Sequence, residues 1–222
     1  MIAATASAHR ATIAGGNLTS SPGGLLVDVT AIGSVKPRKV LTRSGARAGD
    51  EVFVTGQLGG AAAGLSLCLQ GLDDTTEPHR RAAVDRFRHP QPPVAFGGLV
   101  GRNRAASACM DLSDGLVDGL TQMAAASGLG VQIHLEQVPA HPTAEDELFR
   151  ACQLALVLAG GEDYELLFAV PRRRRRAFLA LSRQAGVTVT RIGEMQRVPG
   201  VRLLHPDGTT VEPPRGFTHF AR

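Results

Sequence analysis

The chain has 222 residues, 43% of them hydrophobic and 20% charged, a length for one large domain or one and a half at ~150 residues per domain. A chain of this size buries about 70% of its unfolded surface, which excludes disordered and disulfide-dependent scaffold classes. The formal net charge is +4, but it comes from one run, Arg172 to Arg176, without which the chain is close to neutral.

That arginine run follows Pro171 and reads as the opening of a surface helix rather than a polyanion track. With only 4% aromatic residues there is little on which single-stranded nucleic acid could stack, so no nucleic-acid partner is expected. Cys68, Cys109 and Cys152 lie far apart with no Cys-x-x-Cys pair, which argues against a disulfide framework or a thiolate zinc site and fits a reducing compartment. The opening Met1 to Ala8 imitates the end of a signal peptide but has no basic region before it. The longest apolar run, Leu154 to Ala159, falls far short of the ~20 residues of a membrane span. The expectation is a cytoplasmic protein without membrane contact.

In chain order, Met1 to Arg10 is alanine-rich and helix-like. An apolar run, Ala11 to Ala14, leads to a turn at Gly15-Gly16-Asn17, and Leu25 to Val35 alternates as a strand does. A polar stretch, Arg43 to Asp50, precedes a short strand, Glu51 to Thr55. The glycine-rich Gly56-Gln57-Leu58-Gly59-Gly60 then opens a helix, Gly59 to Gln70. This stretch lacks the Walker lysine and the dinucleotide spacing, and it reads as close packing of helix on strand. A domain boundary is placed near Ala48, dividing residues 1–47 from 48–222. Helices are expected at Pro78 to Arg88 and Pro93 to Arg102, separated by proline stops. There follow a strand at Ala105 to Met110, a helix at Asp114 to Ser127, a strand at Val131 to Leu135 and a helix at Thr143 to Cys152. The last expected elements are a strand at Tyr164 to Val170, a helix at Arg172 to Ala185, and strands at Val187 to Ile192 and Val201 to His205. With no internal repeat, the fold class is α/β or α+β, a mixed sheet covered by helices.

Three clusters could carry chemistry. Asp111-Leu112-Ser113-Asp114-Gly115 sets two carboxylates three apart where a strand turns into a helix. That suits a magnesium ion, which takes one or two carboxylates and completes its shell with water and phosphate oxygens. The alternative is an N-cap, with Ser113 or Asp114 bonding the first helical amides. Gly160-Gly161-Glu162-Asp163-Tyr164-Glu165 places three acids and the only tyrosine after an apolar run, either at a site or as a solvated loop. Gly15-Gly16-Asn17 could bring backbone amides to a phosphate or be an ordinary turn. The seven histidines show no ligand spacing, and no serine or cysteine sits in a nucleophile elbow.

Taken in order, Gly15-Gly16-Asn17, Leu41-Thr42-Arg43-Ser44-Gly45-Ala46-Arg47, Gly49-Asp50-Glu51-Val52, Met110 to Leu116, Gly160 to Leu166 and Gly216-Phe217-Thr218-His219-Phe220 resemble the thiamine-monophosphate kinase family. That family belongs to the aminoimidazole ribonucleotide synthetase-like superfamily. The resemblance implies that residues 48–222 form the C-terminal domain of that fold and residues 1–47 are a remnant of the N-terminal domain that binds ATP and dimerises. It implies transfer of the ATP γ-phosphoryl group to thiamine monophosphate, giving thiamine diphosphate. By the same resemblance Asp111, Asp114 and Asn17 would hold Mg²⁺, and Gly16, Asn17, Arg43 and Ser113 would contact ATP. Glu162 would bind the substrate and Phe217 would stack on its ring. The acceptor is already an anionic phosphate, so the reaction needs charge neutralisation and alignment rather than a general base.

This sequence has Asn17 where the family places an aspartate, and it has no counterpart of the family's Gly-Asp-Asp-Ala segment. Strands at Ala11 to Ala14 and Leu25 to Val35 would then be sheet edges without neighbours. A homodimer, or pairing with a complementing N-terminal polypeptide, is expected. Two other functions stay open: a binding remnant that keeps Glu162 and Phe217 without nucleotide binding, and another ATP-using member of the superfamily.

Overall fold

A computed structural model describes residues 2–214. The chain divides into two compact units, Met1–Ser34 and Val35–Arg222.

The first unit holds one helix, α1 (Ile2–Ala8). Residues 9–34 have neither helix nor ladder, which corrects the strands expected at Ala11 to Ala14 and Leu25 to Val35. The physical reason is partnership. Alternating side chains make a strand only where a neighbour satisfies the backbone N–H and C=O groups, and within this unit no segment does so. Leu18, Leu25 and Ile32 are 98%, 95% and 95% exposed.

The second unit is built on one mixed sheet. Its strands are β1 (Glu51–Thr55), β2 (Ala108–Leu112), β3 (Gly130–His134), β4 (Glu165–Val170), β5 (Val189–Gln196), β6 (Gly200–Leu204) and β7 (Thr210–Val211). Their order is β2-β4-β1-β5-β3-β6-β7. The β3–β6 pair is parallel and the other pairs are antiparallel. The helices are α2 (Gly60–Leu69), α3 (Pro78–Arg88), α4 (Val94–Asn103), α5 (Leu116–Ser127), α6 (Gln153–Ala159) and α7 (Arg175–Ala185).

The central strand β1 explains the layering. All five of its residues are buried, so successive side chains enter cores on opposite faces. Val52 and Val54 join Leu112, Leu116, Leu120 and Leu158 on one face. Phe53 joins Phe96, Phe168 and Phe178 on the other. Those four rings interlock at centroid separations of 5.1–5.6 Å in tilted and edge-on arrangements, the geometry that ring quadrupoles favour. They lock α4 and α7 onto the sheet.

In the second unit most expected elements form within a few residues of their expected bounds, and one expected helix is corrected. The helix expected over Thr143 to Cys152 is two 3-10 turns, Pro142–Glu145 and Glu147–Phe149, while the α-helix comes later, as α6. Asp146 breaks the run. Its backbone is extended, at φ −61 and ψ 147. Its carboxylate accepts from Leu148 N at 3.1 Å, Arg80 Nε at 2.8 Å and His79 Nε2 at 3.0 Å. The Arg80 bond first, with the His79 and Leu148 bonds, holds this carboxyl well below the usual carboxylate range. The apolar Leu154 to Ala159 is then free to wind as a helix, a choice that periodicity alone cannot make for so short a run.

Phe178 is the point where α7 enters the aromatic core. Phe178→Ala is expected to cost about 4 kcal/mol through lost burial and a residual cavity, read as a lowered urea midpoint with the far-UV spectrum retained.

Candidate functional site

The site is built where β2 ends. Ala108 and Leu112 point into the core, Met110 packs beside them, and Asp111 is left exposed near the end of this edge strand. The chain then turns through Ser113-Asp114-Gly115 into α5. The capping position of α5 is Gly115, at φ 100. A Cβ there would lie 2.9 Å from the backbone of Ala159, so the close seating of α5 against the end of α6 requires glycine.

The second acidic cluster is zipped onto the first, although they lie some fifty residues apart. Glu162 N donates to Ser113 O at 2.7 Å and Tyr164 N to Leu112 O at 3.2 Å. A Cβ on Gly161 would come within 2.4 Å of Ser113 O, which explains a glycine at that position. Glu162 and Tyr164 adopt left-handed conformations, φ 69 and φ 51, that side-chain-bearing residues avoid unless surrounding contacts hold them.

The three acids of this loop divide their tasks. Asp163 is buried, with Oδ2 accepting from Gly59 N at 2.6 Å and Oδ1 from Ala61 N at 3.0 Å. It therefore caps α2, whose own capping residue, Gly59, has no side chain to offer. Burial pushes its carboxyl pKa up, and the two amides and Arg86 pull against that rise. Glu165 accepts from Thr55 Oγ1 and from Arg86, and Arg86 Nε also lies 3.3 Å from Asp163 Oδ1. Glu162 alone is exposed, with Tyr164 Oη donating to its Oε2 at 3.1 Å.

Arg43 arrives from a strap that crosses the sheet edge. Cys109 N donates to Thr42 O at 3.1 Å, and Ser127 Oγ accepts from Ala46 N at 3.3 Å. The Arg43 guanidinium donates to Gln122 Oε1, and Gln122 Nε2 donates to Asp118 Oδ2 at 2.5 Å, so α5 orients the arginine. An open cleft of about 880 Å³ results, lined by Arg43, Ser44, Asp111, Ser113, Asp114 and Gln122 among others.

Four residues singled out in the sequence, Arg43, Asp111, Ser113 and Asp114, thus share one cleft, and Glu162 stands beside it through its bond to Ser113. The charges are felt by their neighbours. Burial raises the Tyr164 phenol pKa, and the charges of Glu162, Asp111 and Asp114 raise it further. The Cys109 thiol is pushed up to about 12, mainly by burial and then by Asp111, which makes it a poor nucleophile. Gly16 and Asn17 lie in the first unit, Met1–Ser34, in exposed chain. Phe217 lies outside the described residues. The orienting role of Gln122 and the capping role of Asp163 were not foreseen. The second left one signal, an acid in a loop and a side-chain-free helix start elsewhere.

Among the described residues no group of three or more His, Cys, Asp and Glu side chains is placed to hold a metal ion. The cleft supplies two carboxylates, Asp111 and Asp114. That set fits a magnesium ion carried in with phosphate oxygens and water better than a dedicated protein cage. No helix among the described residues is long and apolar enough to cross a membrane.

A mixed sheet covered by helices, with a carboxylate-lined cleft at its edge, defines an α/β domain. The sequence profile of the AIR synthase related protein, C-terminal domain, matches residues 47–205, and the chain belongs to that family. It is 32% identical over 93% of its length to a thiamine-monophosphate kinase of Salmonella typhimurium, and 34% identical over 96% to one of Aquifex aeolicus. It spans 63% and 64% of those proteins. Among solved structures, the thiamine-monophosphate kinase of Stenotrophomonas maltophilia K279a superposes with a TM-score of 0.72 at 30% identity, covering 80% of this chain and 56% of that one. AaThiL complexed with AMPPCP and TMP superposes with a TM-score of 0.68 at 35% identity, covering 81% and 54%. The hydrogenase maturation protein HypE of E. coli, at 21% identity and a TM-score of 0.62, shares the fold.

Two outcomes follow from the buried groups. Asp163→Ala leaves the α2 amides without an acceptor and Arg86 with one carboxylate fewer, at a cost of about 3 kcal/mol, measurable by chemical denaturation. His141 accepts from Thr143 N through Nδ1 at 3.2 Å. Burial, then Arg86 and His79, lower its pKa to about 4 from 6.5. Because the unfolded chain takes up this proton first, its contribution is whole above pH 6.5 and is lost as pH falls toward 4, on the order of 3 kcal/mol. His141→Asn keeps an acceptor for Thr143 N, and its denaturation midpoint is expected to change less than the wild type's between pH 7 and 4.5.

Proposed function

We propose that this chain carries the C-terminal part of a phosphoryl-transfer site that converts thiamine monophosphate to thiamine diphosphate with ATP. One observation carries the reading: Asp111, Ser113, Asp114 and Arg43 line a single cleft in a chain similar over 93% of its length to thiamine-monophosphate kinases. The solved relative complexed with AMPPCP and TMP supports an ATP-like donor and this acceptor.

In this reading a phosphate oxygen of thiamine monophosphate attacks the γ-phosphorus. The bond to the β–γ bridging oxygen breaks, and ADP leaves with the electron pair. Arg43, held by Gln122, draws the transferring phosphate by charge and by its planar fork of donors. The Ser113 hydroxyl donates to a phosphate oxygen. Asp111 and Asp114 would hold Mg²⁺, which neutralises phosphate charge when bound. Asn17 would add an uncharged oxygen to that ion, and Gly16 with Asn17 would approach the phosphates through the backbone. Glu162, kept in place by Ser113 and Tyr164, would meet the cationic thiamine, and Phe217 would stack on its ring. No group is needed as a general base, because the acceptor oxygen is ionised at neutral pH.

Residues 1–47 are read as a remnant of an N-terminal domain, and residues 48–222 as the catalytic C-terminal domain. The expected partner is a second copy of the chain or a complementing N-terminal polypeptide, and the expected location is the cytoplasm.

The experiment is chromatographic detection of thiamine diphosphate after incubation with Mg-ATP and thiamine monophosphate, beside Asp114→Asn. The variant keeps size and polarity, and its turnover is expected to fall by about a hundredfold or more with an unchanged circular dichroism spectrum. Equal turnover in the two would remove Asp114 from the site. Calorimetric binding of thiamine monophosphate without any product would favour the binding remnant.

A further inference from the structure

The arginine run at Arg172 to Arg176 does not act as one block. Arg172–Arg174 form a 3-10 turn and Arg175 opens α7. Residues three apart eclipse on such a turn. Arg172 accordingly pairs with Glu194, and Arg175 lies 3.3 Å from Glu51, both acids being on the sheet. Arg173 and Arg174 go elsewhere, into the wall of a cavity of about 230 Å³ that is also lined by Arg38, Arg47 and Arg104.

Five guanidinium-bearing side chains from three separate stretches of the main unit therefore meet at one cavity. None of its lining residues is acidic. Among the described residues, none of these five arginines forms an ion pair. One carboxylate stands behind the lining: buried Asp50 accepts from Arg47 N at 3.0 Å and Ser107 Oγ at 2.5 Å, both at Oδ2, and its single charge offsets at most one of the five. The arrangement is held in place. Arg174 donates to Arg104 O, and Arg104 itself sits in the left-handed conformation, φ 52, that ends α4. A second cavity, of about 720 Å³, makes the contrast: there Arg86 meets both Asp163 and Glu165. Clustered like charges repel one another, and a fold that keeps five of them around one cavity against a single buried carboxylate leaves an anion to supply the missing charge.

We propose that this basic cavity is a binding site for a diphosphate group. The guanidinium fork matches phosphate oxygens two at a time, and several forks around one small space favour a multiply charged, compact anion over a carboxylate. A cavity of about 230 Å³ is of the size of a diphosphate, and the sugar and base of a nucleotide would extend from it. An extended nucleic acid is disfavoured because no aromatic residue lines the cavity for stacking. The group is therefore free pyrophosphate or the tail of a nucleoside diphosphate. The site is distinct from the cleft of Asp111 and Asp114, and the proposal does not rest on the kinase reading.

The test is isothermal titration of the full chain with inorganic pyrophosphate and, separately, ADP. Both are run in EDTA at constant ionic strength, with sulfate as the control anion. Pyrophosphate is expected to bind at least tenfold more tightly than sulfate. Comparable affinity for ADP would identify the nucleotide tail as a sufficient source, and markedly weaker affinity would identify free diphosphate. Arg104→Gly removes a guanidinium while suiting the left-handed backbone, and Arg173→Gln and Arg47→Gln change exposed side chains. Each should weaken pyrophosphate binding at least fivefold, while Arg150→Gln, outside both cavities, should leave it unchanged, and Arg43→Gln reports any binding in the other cleft. Pyrophosphate bound no better than sulfate, indifference to all three variants, or loss only in Arg43→Gln would overturn the proposal.

Discussion

The loop from Gly160 to Glu165 is the constraint from which the rest of the site follows. Its buried Asp163 bonds the first amides of α2, while Arg86 of α3 reaches both Asp163 and Glu165. One ion cluster thus ties α2, α3, β1 and β4 together. Isolated, each of these buried charges would be costly. Arg86 lies between the two carboxylates, while two amides donate to Asp163 and the Thr55 hydroxyl donates to Glu165, so each buried acid has partners of both kinds. With the loop anchored from below, its backbone has few choices left. Glu162 and Tyr164 are held in left-handed conformations and the loop is bonded to Leu112 and Ser113. The strain is small in energy but specific in direction, because it presents Glu162 beside the carboxylates of the neighbouring turn.

This arrangement separates support from chemistry within a single short motif. Asp163 and Glu165 are acids whose negative charge is spent inside the protein. Glu162, Asp111 and Asp114 carry theirs at or beside a cleft. The same division appears among the arginines, with Arg86 neutralised in the interior, Arg172 and Arg175 paired on the sheet, and Arg43 placed at the cleft by Gln122. Charge in this protein is assigned by packing rather than by composition, and a formal net charge of +4 says little about where an anion would be drawn.

Much of the fold was legible because its signals are local. The turn-bounded β1 and the proline-opened α3 each carry their own start and stop, and the two ends of Pro78–Arg88 fall where expected. The segment around Asp146 was not legible in this way, because its conformation depends on Arg80 and His79 some sixty-six residues away. The strands expected before Val35 failed for a related reason, since a strand is a property of two segments and the alternation of one does not supply the other. At the site, Asp111, Ser113 and Asp114 could be picked out because they interrupt an apolar strand, and Arg43 entered through the resemblance. Gln122 could not be foreseen, being an ordinary polar residue on a helix face until Arg43 is set against it.

The edge position of β2 governs where both signs of charge are placed. An unpaired edge is ordinarily a hazard, since its free amides and carbonyls invite another strand. Here the strap of Leu41 to Arg47 covers part of that edge, with Thr42 O accepting from Cys109 N, and the cover itself carries Arg43. The opposite side of the same strap contributes Arg47 to the basic cavity. A segment that began as protection for a sheet edge therefore holds a cation toward each of two cavities. Because Ser127 fixes the strap through Ala46 and Arg43 O, the orientation of both cations depends on α5, the helix that starts at the carboxylate turn. The placement of positive charge and the placement of negative charge in this domain are thus set by one helix packed against one edge strand.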